Sequence, residues 1–138
     1  MMIYITRRER FNAAHKLYRE GWTDQENFEA FGKCSNPNWH GHNYELFVTV
    51  KGNVDPATGF VMDLKELKKI IHTYITDKLD HKNINLDVDF MKGKMASTEV
   101  LAMEIFFQLK PHVEAHGVHL HSIRINETEN NYVEYFGE

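Results

Sequence analysis

The sequence predicts an α+β fold: a four-stranded antiparallel sheet made of two hairpins, with two helices between them in chain order, packed on one face. Three observations carry this. Apolar and polar residues alternate near both ends of the chain, and a strand's side chains change face with every residue. Two middle stretches, after Asp63 and after Ser97, repeat apolar residues at helical spacing. Segments dense in turn formers separate these blocks.

The first strand spans Ile3 to His15, where Ile3, Ile5, Phe11, Ala13 and His15 share parity. Arg7 and Glu9 break the apolar run, so a bulge could switch faces midway. Residues 16–39 form a long connection holding Gly21, Asp24, Asn27, Gly32, Asn36, Pro37 and Asn38, with a short helix over Asp24–Phe31. A connection this long is uncommon in a compact domain unless it is functional. Residues 40–51 are the second strand, and Asn53-Val-Asp-Pro-Ala-Thr-Gly59 is a turn.

Asp63 is a plausible N-cap with Glu66 at N3, and Leu64, Leu67, Ile70, Ile71, Tyr74 and Ile75 follow, so the first long helix runs from Leu64 to Lys78. Leu79 to Asp87 reads as a polar loop. Ser97 caps the second helix, with Glu99 suited to its dipole and Val100, Leu101, Met103, Ile105, Phe106, Phe107 and Leu109 forming a wide apolar face. Pro111 should kink or end it. Val118–Asn126 and Asn131–Phe136 form the closing hairpin, completing the order ββααββ. An open sheet of this kind has two bare edges, which predicts a homo-oligomer whose sheets join, since closure into a barrel removes edges.

A chain of 138 residues predicts one domain, long enough to bury roughly two thirds of its unfolded surface. The 42% hydrophobic and 26% charged content is that of a soluble globular protein. A net charge of −4 supplies no broad basic field for nucleic acid, although Arg7, Arg8, Arg10 and Lys16 could meet a small polyanion. A lone cysteine cannot form an internal disulfide and suits a reducing cytosol, so a cytoplasmic location is expected. The N-terminus has no signal-peptide character and no apolar run approaches the ~20 residues of a membrane span.

Phe31-Gly-Lys-Cys-Ser-Asn-Pro-Asn-Trp-His-Gly-His-Asn-Tyr44 concentrates the chemistry. On a strand, His40 and His42 project from one face. A catalytic zinc uses three protein ligands and one open position, and His15 is the best third candidate. His-x-His spacing alone fits a surface pair equally well. Cys34 could be a thiolate ligand, a reactive group with a lowered pKa, or a small buried residue. Asp80 could orient His81, as in catalytic triads, or simply cap a loop. Glu127 could accept two N–H donors from a flat heterocycle, or flank a turn. His119 and His121 repeat the spacing without a nearby thiol or acid–base loop and read as decoys; His72, His112 and His116 read as helix-surface residues.

Taken together, Phe11-Asn-Ala-Ala-His15, Phe31-Gly-Lys-Cys34, Asn36-Pro37, His40-Gly-His-Asn-Tyr44, Asp55-Pro-Ala-Thr-Gly59, Leu79-Asp-His-Lys-Asn83, Ser97-Thr-Glu99 and Glu127-Thr-Glu-Asn-Asn131 resemble the 6-pyruvoyl-tetrahydropterin synthase family. The likeness covers nearly the whole chain in order. It implies one tunnelling-fold (T-fold) domain over residues 1–138, sheets joined into a trimeric β-barrel, two trimers stacked into a hexamer, and active sites between subunits. It implies that His15, His40 and His42 hold zinc, that Cys34 is the proton-abstracting base with Asp80 and His81 as relay, and that Glu127 anchors a pterin aided by Thr98, Ser97 and Glu99.

The implied enzyme is a lyase. It turns 7,8-dihydroneopterin triphosphate into 6-pyruvoyl-tetrahydropterin and triphosphate, toward tetrahydrobiopterin, and needs no nicotinamide. The related 6-carboxytetrahydropterin synthase of queuosine biosynthesis uses the same substrate and zinc but releases acetaldehyde. In that branch the cysteine sits closer to the His-Gly-His, whereas here Asn36-Pro37 lies between Cys34 and His40, as in the pyruvoyl branch. Trp39 departs from the pattern, which has glycine before the triplet. Readings of a different class are a zinc hydrolase with Glu127 as base and a non-catalytic zinc- and pterin-binding oligomer.

Overall fold

The computed structural model describes residues 1–138. In chain order the elements are strand β1 (Met2–His15), helix α1 (Asp24–Phe31), strand β2 (His40–Asn53), helices α2 (Leu64–Ile71) and α3 (Asp77–Leu79), strand β3 (Lys82–Asn83), helices α4 (Ile84–Asp87) and α5 (Thr98–Glu114), and strands β4 (His119–Asn126) and β5 (Tyr132–Tyr135). The fold is α+β, with a five-stranded sheet in the order β3-β1-β2-β4-β5. The fifth strand corrects the four-stranded expectation. β3 pairs parallel with β1 at Ala13 and Ala14 only. Two residues are too few to show a period, so this stretch reads as loop in sequence.

β1 and β2 pair antiparallel without interruption, from Met2 opposite Asn53 to His15 opposite His40. The bulge allowed for in the first strand is absent. The register shifts instead between β2 and β4, where Thr49 faces Ser122, Val50 faces Leu120, and His121 is the extra residue. Arg7 and Glu9 stay on the same face as Phe11 and are satisfied as ions. Arg7 Nε donates to Glu9 at 2.8 Å, and His72 Nε2 lies 3.0 Å from the same carboxylate. Burial pushes Glu9 up, but the bonds from His72 and Arg7 outweigh it and hold the carboxyl below its ordinary value.

Phe11 and Ala13 of β1, Tyr44, Leu46, Val48 and Val50 of β2, and Ile123 and Ile125 of β4 are buried. They belong to one hydrophobic cluster with Leu67, Ile70 and Ile71 of α2 and Leu101, Ile105 and Leu109 of α5. α2 does not run straight to Lys78. It passes into a π-helical segment, His72–Thr76, before α3. The wider turn rephases the helix so that Ile75 and Leu79 are fully buried. Tyr74 moves to the flank, where it stacks on His112 with ring centroids 3.6 Å apart.

α5 begins at its Ser97 cap, whose hydroxyl accepts from the Val100 N–H, but it continues through Pro111 to Glu114. Pro111 and Phe107 are both exposed, so the backbone bond that proline removes lies on the solvent side, where water can replace it. Leu64, Met103 and Phe107, expected in apolar faces, are exposed. Leu46 is 0% exposed at the middle of β2. Leu46→Ala should therefore lower stability by about 2–5 kcal/mol in urea denaturation, the range for a large-to-small change at a fully packed site.

Candidate active site

The β1–β2 register builds the site. Residues directly opposite in an antiparallel pair share a face. His15 lies opposite His40, and His42 lies opposite Ala13 on the same face. The three imidazoles meet, with centroids of His15 and His40 at 4.5 Å, of His40 and His42 at 5.1 Å, and of His15 and His42 at 5.2 Å. One ring nitrogen from each lies within 4.8 Å of the other two.

The donor set fits a metal. His15 Nδ1 is 2.7 Å from the Ala96 carbonyl, which can only accept, so Nδ1 carries the proton and Nε2 presents its lone pair. His15 Nε2, His42 Nε2 and His40 Nδ1 are buried with no hydrogen-bond partner. Such atoms cost free energy unless a ligand takes them. Burial is the main cause that pushes all three imidazoles below 6.5, which keeps them neutral and ready to ligate at neutral pH.

Glu127, at the end of β4, reaches the same place. Its Oε2 is 4.0 Å from His15 Nε2 and accepts a short hydrogen bond from the Thr98 hydroxyl at the start of α5. Ser97 is occupied as the helix cap, and Glu99 lines a cleft with Thr98, Glu127, Asn131 and Tyr132. A larger cavity of about 700 Å³ is lined in part by His42, Tyr44, Asp80 and Glu127. Tyr44 was missed as a site residue in the sequence. It shares parity with His40 and His42, packs edge-on to His42 at 5.5 Å and leaves its buried hydroxyl unpartnered. Burial pushes its phenol well above the usual range, with Glu127 adding to the shift. The parity of positions 40, 42 and 44 was the signal.

Asp80 and His81 do face one another. His81 Nδ1 is 2.9 Å from Asp80 Oδ2. Side chains adjacent in sequence meet here because His81 takes φ 60°, in the left-handed region. β1 clamps the pair: the Asn12 N–H donates to Asp80 Oδ1 at 2.8 Å, and the His81 N–H donates to the Asn12 carbonyl at 2.6 Å. The bond from Asn12, joined by that from His81, holds the Asp80 carboxyl below its ordinary value.

Cys34 is half-buried in a tight turn, Gly32–Ser35, that follows α1. Its carbonyl accepts from the Leu17 N–H at 2.8 Å, which pins the turn beside the chain leaving His15. It does not line the cavity that holds Asp80 and Glu127. Trp39 takes φ 67°, which explains why glycine suits this position. His119 is exposed and His121 packs edge-on against Tyr4 and Phe136. His72 is not a free surface residue, since it pairs with Glu9.

The model of the 6-pyruvoyl tetrahydropterin synthase family matches residues 4–138. The chain belongs to this family. The 6-pyruvoyl tetrahydrobiopterin synthase of Homo sapiens is 46% identical over 134 residues, covering 97% of this chain and 91% of its own. The solved structure of Caenorhabditis elegans 6-pyruvoyl tetrahydropterin synthase matches with a TM-score of 0.93 at 39% identity, covering 100% of this chain and 97% of that one. The 6-carboxy-5,6,7,8-tetrahydropterin synthase of Bacillus subtilis (strain 168) is 30% identical over 89 residues, 62% of this chain and 57% of its own. The 6-pyruvoyl side of the family is thus favoured in both identity and extent.

Two outcomes test the histidine cluster. His42→Ala should lose bound metal, read as metal content per chain by elemental analysis; unchanged stoichiometry would remove it from the ligand set. The folded metal-free protein holds the three rings neutral below 6.5, while the unfolded chain takes up protons there. The stability they contribute is thus present above that value and lost as pH falls below it. The urea midpoint of metal-free protein should drop between about pH 7.5 and 5.5, and the drop should shrink in His15→Gln.

Proposed function

We propose that the protein is a zinc-dependent 6-pyruvoyl-tetrahydropterin synthase, a lyase that converts 7,8-dihydroneopterin triphosphate into 6-pyruvoyl-tetrahydropterin and inorganic triphosphate. The observation that carries this reading is the convergence of His15, His40 and His42, with unpartnered buried ring nitrogens, beside the Glu127–Thr98 pair. Three neutral imidazoles suit zinc with an open position for substrate. When bound, zinc supplies Lewis acidity that eases loss of a proton from carbon next to a side-chain hydroxyl.

The chain's own groups do the rest. Glu127 accepts N–H donors from the amidine edge of the pterin, and the Thr98 hydroxyl fixes its orientation. Ser97 holds Thr98 in place by starting α5, and Glu99 completes the cleft wall. Cys34, as thiolate, takes the proton at the side-chain carbon. Asp80 holds the proton of His81 on Nδ1, leaving Nε2 to exchange one with Cys34.

Cys34 and the Asp80–His81 pair meet when subunits assemble. The chain acts as a homo-oligomer, a hexamer of two trimers with sheets joined as a T-fold barrel. Two bare edges support this: β5 on one side, and β1 from Met2 to Asn12 on the other, since β3 covers only Ala13 and Ala14. No helix is long and apolar enough to cross a membrane. A free thiol in a catalytic role fits the reducing cytosol.

Incubation of the zinc-loaded protein with 7,8-dihydroneopterin triphosphate tests the reaction. A 6-pyruvoyl product and inorganic triphosphate are expected. Acetaldehyde would move the protein to the 6-carboxytetrahydropterin branch, and zinc binding without turnover would make it a binding protein. Cys34→Ala should keep its zinc and lose about 10²–10⁴ in rate, the worth of a positioned base.

A further inference from the structure

The proposed substrate carries a triphosphate, and the cavity that holds Glu127 is a poor place for it. Glu45, Asp80, Glu127 and Glu129 line that cavity, with Arg10 as its cation. Arg10 is itself shared with Glu45, at 3.9 Å, and Glu45 also takes Arg8 at 3.1 Å. A polyanion would meet carboxylates there.

Beyond the end of the β1–β2 pair lies a second cavity, of about 440 Å³. Lys16, Tyr18 and Asp24, with Phe28 of α1 and the turn that carries Lys33, line it. The chain links it to the histidine cluster, since Lys16 directly follows His15, although none of the three histidines lines it. Lys33 directly precedes Cys34, so both flank residues already assigned to the reacting centre. Neither Lys16 nor Lys33 has a carboxylate within 4.0 Å; every such pair of the chain lies elsewhere. Asp24, the acid on this wall, accepts from the Tyr18 hydroxyl at 2.9 Å.

Lys16 is held, not free. Asn85 brackets its backbone, accepting from its N–H and donating to its carbonyl, each at 3.1 Å. Its ammonium sits 4.4 Å from the Trp39 ring centroid and 4.7 Å from that of Tyr18. Aromatic faces attract a cation without neutralising it, so its charge stays available to an anion. Trp39 keeps a strained left-handed backbone where glycine would be at ease. The indole that this strain retains is the one lying on Lys16.

We propose that this cavity is the triphosphate subsite, with Lys16 and Lys33 as its cations and Trp39 as the plate that fixes Lys16. The inference rests on the function proposed above. The pterin lies at Glu127, the side-chain carbons pass the three histidines, and the phosphates leave on the far side between the two lysines.

The test compares zinc-loaded wild type with Lys16→Gln, Lys33→Gln and Trp39→Gly. Three quantities are read: zinc content, KM and kcat for 7,8-dihydroneopterin triphosphate, and the dissociation constant of inorganic triphosphate by calorimetry. Lys16→Gln should keep its zinc and raise both KM and that dissociation constant about tenfold, the scale of one lost charge-assisted contact. Lys33→Gln should raise both in the same direction. The wild-type constant should itself weaken as salt rises. Trp39→Gly should unfold at higher temperature, its strain relieved, yet bind inorganic triphosphate more weakly. Wild-type turnover with unchanged KM and triphosphate binding in Lys16→Gln would overturn the subsite while leaving the proposed reaction standing. A wild type that does not turn over would overturn the reaction. Calorimetry then decides the subsite alone: binding lost in Lys16→Gln supports it, and no binding by wild type ends it.

Discussion

The pairing of His15 with His40 at the closing end of two 14-residue strands is the constraint from which the site follows. A slip of one residue between β1 and β2 would turn every side chain of one strand to the opposite face. The metal candidates would then point away from each other and the core strand residues would face water. The register that buries Leu46, Val48 and Val50 is therefore the one that gathers the three imidazoles. Phe11, opposite Tyr44, stacks on it at 4.8 Å, and Tyr44 in turn packs edge-on to His15 and His42. Hydrophobic burial and ligand geometry are one choice here.

That choice spreads through two hydrogen-bonded ties. The Ala96 carbonyl fixes the His15 ring, and Ala96 stands just ahead of the Ser97 cap. The start of α5, with Thr98 and through it Glu127, is thereby set against the metal candidates. On the other edge of β1, the backbone of Asn12 holds both Asp80 and His81. One strand thus positions the metal candidates, Glu127 and the Asp80–His81 pair. The two residues outside glycine with positive φ, Trp39 and His81, stand beside these ties, where the packing around them can hold strain.

Much of this was legible in the residues. Period two placed β1 and β2, the caps at Asp63 and Ser97 placed α2 and α5, and parity put His40 and His42 on one face. What escaped has physical reasons. β3 is shorter than its own period. The bulge at His121 is set by pairing with β2, which local pattern does not record. Pro111 stays helical because its lost bond faces solvent. The mutual approach of Asp80 and His81 depends on a left-handed residue that carries no glycine to announce it. Tyr44 was readable by the parity that found the histidines but looked like an ordinary strand aromatic. Arg7 and Glu9 looked like an interruption because their partner, His72, lies on another element.

The π-helical segment at His72–Thr76 gives the route from α2 to Asp80 one residue more than a regular helix of the same rise would hold. The Asp80–His81 pair is therefore positioned by a count. Substitutions along this segment leave the count intact. Removal of a single residue would let the segment return to ordinary helix of the same rise with Leu79 and Asp80 still in phase, whereas insertion of one more would rotate them by about 100° and carry Asp80 off Asn12. In this part of the chain the surplus residue makes a loss of length easier to absorb than a gain.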